Sequence, residues 1–451
     1  MIGVGSRNTM TNHLASRQNV LKAPNADLEA RLETVAQAFG MSWLLEEGAH
    51  PIQKLWHRKD ALATNQLAWL GDAIIKMRTI DARWTDAELK KVKTDATELG
   101  NNRKGAIFEI IGLAIFTEGV RVVPRPGGNP GYDGTFHFPD GGKMDISLKN
   151  YGLSTHERGV RTDGLKLEEK FLEVLDSLAL NGLHLRVIAK VFPSDSDWSR
   201  LRENLNGVVE TAPQIEGHVA QDSVWTIILR PLAAFDPRTA PRLSYQVTVM
   251  VPLHQNERQN LISKLDEAYA NAQKHGKSED GLARAVMFHL PENASMANCE
   301  DWAKQYFADR PDGLVDLVIF YQPAVVNGSQ TSIIGHSFVH VPGPRFAKWF
   351  RPANGKRRQF SGSVYVGEIL QEPAKLELRN DDGATLSLEN HYVFESGHLF
   401  VGFESAGGRL DMVVRQPAPG LLNHAVALMP DGSQLEVRGI FPPTMDLIVF
   451  S

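Results

Sequence analysis

Apolar positions recur every three to four residues through the first hundred residues and every second residue through the last hundred. The middle alternates between the two periods. Stretches such as LEARLETVAQAFGMSWLLEE, TNQLAWLGDAIIKMRTI and ELKKVKTDATEL therefore predict several helices before residue 100. Residues 1 to about 30 are polar and aperiodic, and are expected to be poorly ordered. The middle predicts strands at VWTIILRPLA, YQVTVMVPL, ARAVMFHLP, LVDLVIFYQPAVV and SIIGHSFVHV, with helices at ERQNLISKLDEAYANAQKH and CEDWAKQYFA. Such alternation points to a mixed α/β sheet flanked by helices. From about Gly355 short alternating runs separated by NDDG, AGG and PDG predict a small β-sandwich or barrel. The domains expected are thus an N-terminal helical region (1–100), an α/β body (101–354) and a C-terminal β module (355–451).

Within the body, GYDGTFHF (Gly131 to Phe138), PDGG and KMDISLKN (Lys143 to Asn150) read as a β-hairpin. Side chains alternate across a strand, so Asp145, Ser147 and Lys149 emerge on one face. Asp133 joins that face if the loop is the three residues Asp140 to Gly142, which places it opposite Lys149; Gly141 or Gly142 supplies the left-handed residue such a turn wants. Just upstream, RKGAIFEIIGLAIF is apolar on nearly every side except at Glu109, and Gly105 and Gly112 share that residue's face, allowing close backbone approach. A glutamate in an otherwise buried helix needs a partner, and a cation or Lys149 would serve.

These residues resemble the PD-(D/E)XK nuclease superfamily, whose core is an acid-bearing helix followed by a hairpin carrying an Asp and then an (Asp/Glu)-x-Lys tripeptide. The resemblance spans roughly Arg103 to Leu205, under a quarter of the chain. By position Asp133 matches the family's Asp, Lys149 its Lys and Glu109 its helix acid. One position departs: the tripeptide is Ser147-Leu148-Lys149, with serine at the second acidic place, and Asp145 stands two residues earlier on the same face. The resemblance implies a restriction-endonuclease-like core, and an Mg2+ or Mn2+ ion held by Asp133, Asp145 and Glu109. It implies a lysine acting on the attacked phosphate and, as substrate, DNA ahead of RNA. After the hairpin, the helix LKLEEKFLEVLDSLAL, strand LHLRVIAKVF and helix DWSRLRENL follow the order such a core needs. Bacterial members commonly serve restriction, repair or anti-phage defence, so a second copy of the chain or a defence-system protein is the protein partner expected. The alternative reading is a non-catalytic nucleic-acid-binding or protein-interaction chain in which Ser147 marks a lost site.

Charge changes this picture in one place. The net charge of −5 argues against a basic coat, yet no Asp or Glu occurs between Asp316 and Glu368. In that gap Arg345, Lys348, Arg351, Lys356, Arg357 and Arg358 interleave with Phe346, Trp349, Phe350 and Phe360. Cations grip phosphates by counterion release and aromatic faces stack on bases, so a nucleic-acid contact is one reading; a linker anchored by its aromatics is the other. Composition adds bounds. The lone Cys299 excludes an intrachain disulfide and fits a reducing compartment, and no apolar run reaches the ~18 residues of a membrane span, so a cytoplasmic location is expected. There is no Walker motif, dinucleotide fingerprint or paired CxxC.

Overall fold

The computed structural model describes residues 25–46, 50–57, 61–95, 101–125, 131–151, 154–211, 218–231, 245–275, 281–291, 294–327, 332–350, 358, 361–373, 377–379, 385–387, 389–397, 401–406, 409–414, 422–428 and 434–440. Residues 1–24, expected to be poorly ordered, lie outside that set. Two compact units share the chain: one takes residues up to 152 and 258–374, the other 153–257 and 375–445.

The first unit opens with helices α1 (Asn25–Phe39), α2 (Met41–Leu44), α3 (Pro51–His57), α4 (Ala61–Thr94) and α5 (Asn101–Ile115). Helix α4 is broken at Asp81, whose backbone leaves the helical region (φ −153°, ψ 94°). The Asp81 carboxylate accepts from the Trp84 N–H (2.9 Å), so it caps the second half as a fresh N-terminus. The strands β1 (Arg121–Pro124), β2 (Gly134–His137) and β3 (Lys143–Asn150) form an antiparallel meander.

After the second unit's first segment come α8 (Glu257–His275), β8 (Leu282–His289), α9 (Met296–Asp309), β9 (Leu317–Asn327), β10 (Ser332–Pro342), the short α10 (Phe346–Phe350) and β11 (Glu368–Ile369). The seven strands make one mixed sheet in the order β1-β2-β3-β8-β9-β10-β11, with β8 parallel to both β3 and β9. One sheet face, carrying Phe136, Ile146, Leu148 and Met287, packs on the helices α1 to α5. The other, carrying Val286, Phe288, Val318 and Phe320, packs on Leu261 and Leu265 of α8 and Cys299 and Ala303 of α9.

The second unit holds α6 (Thr155–Ser177), β4 (Leu183–Ala189), α7 (Asp195–Thr211), β5 (His218–Gln221), β6 (Trp225–Pro231) and β7 (Tyr245–Pro252). To these it adds β12 (Glu377–Arg379), β13 (Thr385–Ser387), β14 (His391–Gly397), β15 (Val401–Ala406), β16 (Arg409–Val414), β17 (Leu422–Leu428) and β18 (Gln434–Ile440). Five of its strands form a sheet in the order β14-β7-β4-β6-β5.

Here the sequence reading needs correction. The helix, strand and helix of 165–205 do not complete the hairpin's core; they are α6, β4 and α7 of the second unit. Strand β3 finds its apolar match in β8, with Met144, Ile146 and Leu148 beside Ala283, Ala285 and Met287. Strand β4 finds its own in β7, with Leu185 and Val187 beside Val247 and Val249, and on the other face His184 Nε2 hydrogen-bonds the Thr248 hydroxyl (2.9 Å). Among the described residues the strands expected from 355 onward pair as β12 with β13, β15 with β16 and β17 with β18. β11 and β14 join the two larger sheets instead.

Candidate active site

The hairpin loop sits one residue earlier than expected. Phe138 N–H donates to Gly142 O (2.8 Å), enclosing Pro139 to Gly141, and Gly141 supplies the left-handed residue (φ 86°). Gly134 pairs with Ile146 and Thr135 with Asp145, so Asp133 falls opposite Ser147 and not Lys149. A slip of two along the partner strand preserves the face, and Asp133 shares it with Asp145, Ser147 and Lys149.

At Asp133 the ladder ends. Its backbone N–H makes the last bond to Ile146 O (2.8 Å), and its carboxylate then takes the place of the next strand residue. Asp133 Oδ2 accepts from the Leu148 N–H at 2.6 Å and from the Ser147 hydroxyl at 3.4 Å. The acid is thereby fixed at the edge of β3 where β2 has left it. Glu109 reaches the same place from α5, the helix seated on the opposite face: a Cβ on Gly112 would lie 3.2 Å from Leu148 Cδ1, so that glycine is what lets α5 press onto β3. Gly105 does not share this role; a Cβ there meets nothing within 4 Å.

Electrostatics tie these groups together. Burial first, and then the charges of Asp133 and Glu88, push the Glu109 carboxyl up to about 8, against the pull of Lys91 and Lys149. Burial also raises Asp133, opposed by the Leu148 N–H, Lys149 and Ser147. Lys149 enters from β3 with its Nζ 3.9 Å from Glu267 Oε1 of α8. A second lysine, Lys264 of α8, is lowered by burial, with Glu267 raising it and Lys149 lowering it further. Glu109, Asp133, Ser147 and Lys149 thus come together.

Asp145 is engaged one residue pair back along the hairpin, where its Oδ1 accepts the Thr135 hydroxyl at 2.7 Å. Sequence reasoning missed Glu88 and Lys91, which lie on the second half of α4. Trp84, Thr85, Glu88, Leu89 and Val92 make a buried helical stripe with one acid inside it, but the charges at Asp86, Lys90, Lys91 and Lys93 hide that acid in the sequence.

Among the described residues, no group of three or more His, Cys, Asp or Glu side chains is arranged to hold a metal ion. The donors at the hairpin edge are two carboxyl groups, Asp133 and Glu109, with the Ser147 hydroxyl beside them. Each carboxyl is held above its ordinary value by burial, and Glu109 additionally by the charge of Asp133. A cation would reverse both effects. Magnesium is commonly bound by one or two carboxylates, with waters and substrate phosphate completing its octahedron, and the set fits an ion held in that manner.

Of the three described cations in the basic aromatic segment, two are paired with carboxylates. Arg345 Nε and Nη2 each reach Asp316 Oδ1 at 3.0 Å. Arg358 Nε lies 2.9 Å from Asp140 Oδ2 at the hairpin loop, its guanidinium sits 4.5 Å above the Trp349 ring and it also bonds Trp349 O. Trp349 Nε1 donates to Gly281 O (2.8 Å). Lys348 is exposed on α10, while Arg351, Lys356 and Arg357 lie outside the described residues. No helix among the described residues is long and apolar enough to cross a membrane. Comparison with protein-family models, with curated proteins and with solved structures found no match.

Proposed function

We propose that this chain is an Mg2+- or Mn2+-dependent phosphodiesterase acting on nucleic acid, DNA ahead of RNA. The observation that carries the reading is the carboxylate of Asp133 held by the Leu148 N–H at the open edge of β3, with Glu109 and Lys149 in electrostatic reach. The order of elements supports it. With the second unit's first segment set aside, α5-β1-β2-β3-α8-β8 is an acid-bearing helix, an antiparallel meander, a crossover helix and a strand parallel to β3. That order resembles the restriction-endonuclease-like core, with α8 and β8 in the places the sequence reading gave to residues 165–205. A place in restriction or anti-phage defence belongs to the same proposal.

On this reading Asp133 and Glu109 hold the ion, whose chemistry when bound is to acidify a water and offset phosphate charge. The chain's own part is positional. Leu148 N–H and Ser147 Oγ–H fix the Asp133 carboxylate before substrate arrives, and Lys149 presents its ammonium at the same edge, where it stabilises negative charge gathering on the phosphate. Glu267, 3.9 Å away on α8, orients that ammonium until phosphate displaces it. The direct test is cleavage of plasmid and single-stranded DNA in the presence of Mg2+ or Mn2+, with Lys149→Ala and Asp133→Ala as controls. Loss of cleavage in both, with folding intact, is the expected result.

One observation favours a second reading. The second acidic position is Ser147, and Asp145, the nearest substitute, is engaged with Thr135. A chain that binds nucleic acid at this edge without cutting it would show binding but no metal-dependent cleavage on any tested substrate.

A further inference from the structure

The strand face that carries Asp133 continues beyond the residues assigned to the site. Arg125 N–H donates to Asp133 O (3.0 Å), so the ladder of β1 and β2 runs one step past Pro124 and Gly134. Alternation then places Arg121 and Arg125 of β1, His137 of β2, and Lys143 and Lys149 of β3 on the Asp133 face. The acids of these three strands on that face are Asp133 and Asp145, and Asp145 already accepts from Thr135. Groups from all three strands act on one side chain. Burial first, then the charges of Arg121 and Lys143, hold the His137 imidazole below its ordinary value, with Asp145 opposing and Arg125 adding to them.

The face is open on its β1 side. Arg121 is exposed, and Val123 beside it is 36% exposed. Helices α8 and α9 cover the continuation of this face at Val286, Phe288, Val318 and Phe320, but their apolar cluster takes in no described residue of β1, β2 or β3. Arg125 meets uncharged groups, the Tyr132 ring (4.4 Å) and the Thr135 hydroxyl (3.4 Å from Nη2). Charge on an edge strand guards against pairing with other chains, and that accounts for Arg121 and Arg125 alone. His137 and Lys143 stand on inner strands, where there is no edge to guard.

The span sets the size of the partner. Arg121 and Arg125 lie about 13 Å apart along β1, and Lys143 and Lys149 about 20 Å apart along β3. One small anion cannot meet them all, whereas a chain of anions can. We propose that this face of β1, β2 and β3 carries a nucleic-acid backbone, with Arg121, Arg125 and Lys143 against phosphates that lead to the Asp133 edge. The choice of nucleic acid over an acidic protein rests on the reading of that edge as a phosphodiesterase site, with which the face is continuous.

The test is the salt dependence of binding by the full chain to short labelled DNA duplexes of two unrelated sequences, read by fluorescence anisotropy with EDTA present. Arg121→Gln combined with Lys143→Gln should lower the slope of log affinity against log salt by about 1.8, about 0.9 for each phosphate contact, for both sequences alike. Raising salt from about 50 to 200 mM should then weaken the wild type about 12 times more than the double variant. Arg121 is exposed, so Arg121→Gln alone, with a fall of about 0.9, serves if the double variant weakens the fold. Lys166→Gln, at an exposed cation of the second unit, should leave the slope unchanged. Equal slopes for wild type, Arg121→Gln and the double variant would overturn the proposal. Wild-type chain that binds neither duplex at low salt would overturn it too, and would leave an acidic protein as the partner of the face. The cleavage assay keeps the two readings apart: no cleavage with the expected fall in slope would refute the phosphodiesterase alone, and metal-dependent cleavage with an unchanged slope would refute this face alone.

Discussion

Replacing Glu109 with glutamine should make the first unit more stable at alkaline pH and leave it unchanged in acid. The carboxyl stands at about 8 in the folded chain against an ordinary value of 4.5. Below pH about 4.5 folded and unfolded chains both hold the proton, so Glu109 contributes no pH dependence there. Between about 4.5 and 8 only the folded chain holds it, and stability falls as pH rises. Above about 8 the folded chain must carry a buried carboxylate beside Asp133 and Glu88. At about 1.4 kcal/mol per pH unit the gap corresponds to about 5 kcal/mol, and a gain of about 2–5 kcal/mol for Glu109→Gln at pH 9 is expected. Urea unfolding of both proteins at pH 5, 7 and 9, read through exchange protection of α5 amides, isolates the difference from every other titrating group. Saturating Mn2+ should shrink it, because a bound cation favours the ionised form. An equal stability difference at pH 5 and pH 9 would refute the argument that Glu109 is a buried acid poised against its neighbours.

Other expectations follow from single contacts. Thr135→Val keeps the side chain's shape but strips the hydroxyl from a buried Asp145 oxygen, and should lower stability by about 1–3 kcal/mol in a thermal melt. Gly164→Ala, on α6 of the second unit, places a Cβ 2.5 Å from the Phe394 ring; overpacking of about 1–3 kcal/mol should outweigh the helix-propensity gain of up to ~1 kcal/mol, giving a lower melting temperature. Arg345→Ala and Arg358→Ala remove pairs with Asp316 and Asp140, so they should reduce stability while leaving the salt dependence of nucleic-acid binding unchanged. A fall of about 0.9 in the salt slope for either one would show a phosphate contact instead.

The face of the hairpin was legible because strand alternation has period two and survives an even slip; the exact loop was not, since Pro139 and Gly142 can each stand at its border. The buried helix acid Glu109 was legible as an interruption in an apolar run; Glu88 was not, because TDAELKKVKT also carries Asp86, Lys90, Lys91 and Lys93 and nothing in the sequence says which of its charges is buried. The crossover was hidden because α6 and β4 repeat, locally, the helix-then-strand order that α8 and β8 supply a hundred residues later. Each strand has an apolar face to match, Ile146 and Leu148 of β3 beside Ala285 and Met287, and Leu185 and Val187 of β4 beside Val247 and Val249, so a single sequence does not reveal which strand meets which. Asp145 looked available because position along β3 was all the sequence offered; its hydrogen bond to Thr135 depends on the register, Thr135 beside Asp145, that folding sets.

The most direct test of the central claim is cleavage by full-length chain of supercoiled plasmid and single-stranded DNA with Mg2+ or Mn2+, comparing wild type with Asp133→Asn and Lys149→Ala. The account predicts metal-dependent cleavage that falls by at least about 10²–10³ in each variant, with DNA affinity changed only a few-fold, because both groups act on the phosphate as charge develops. Cleavage by either variant at the wild-type rate would contradict it.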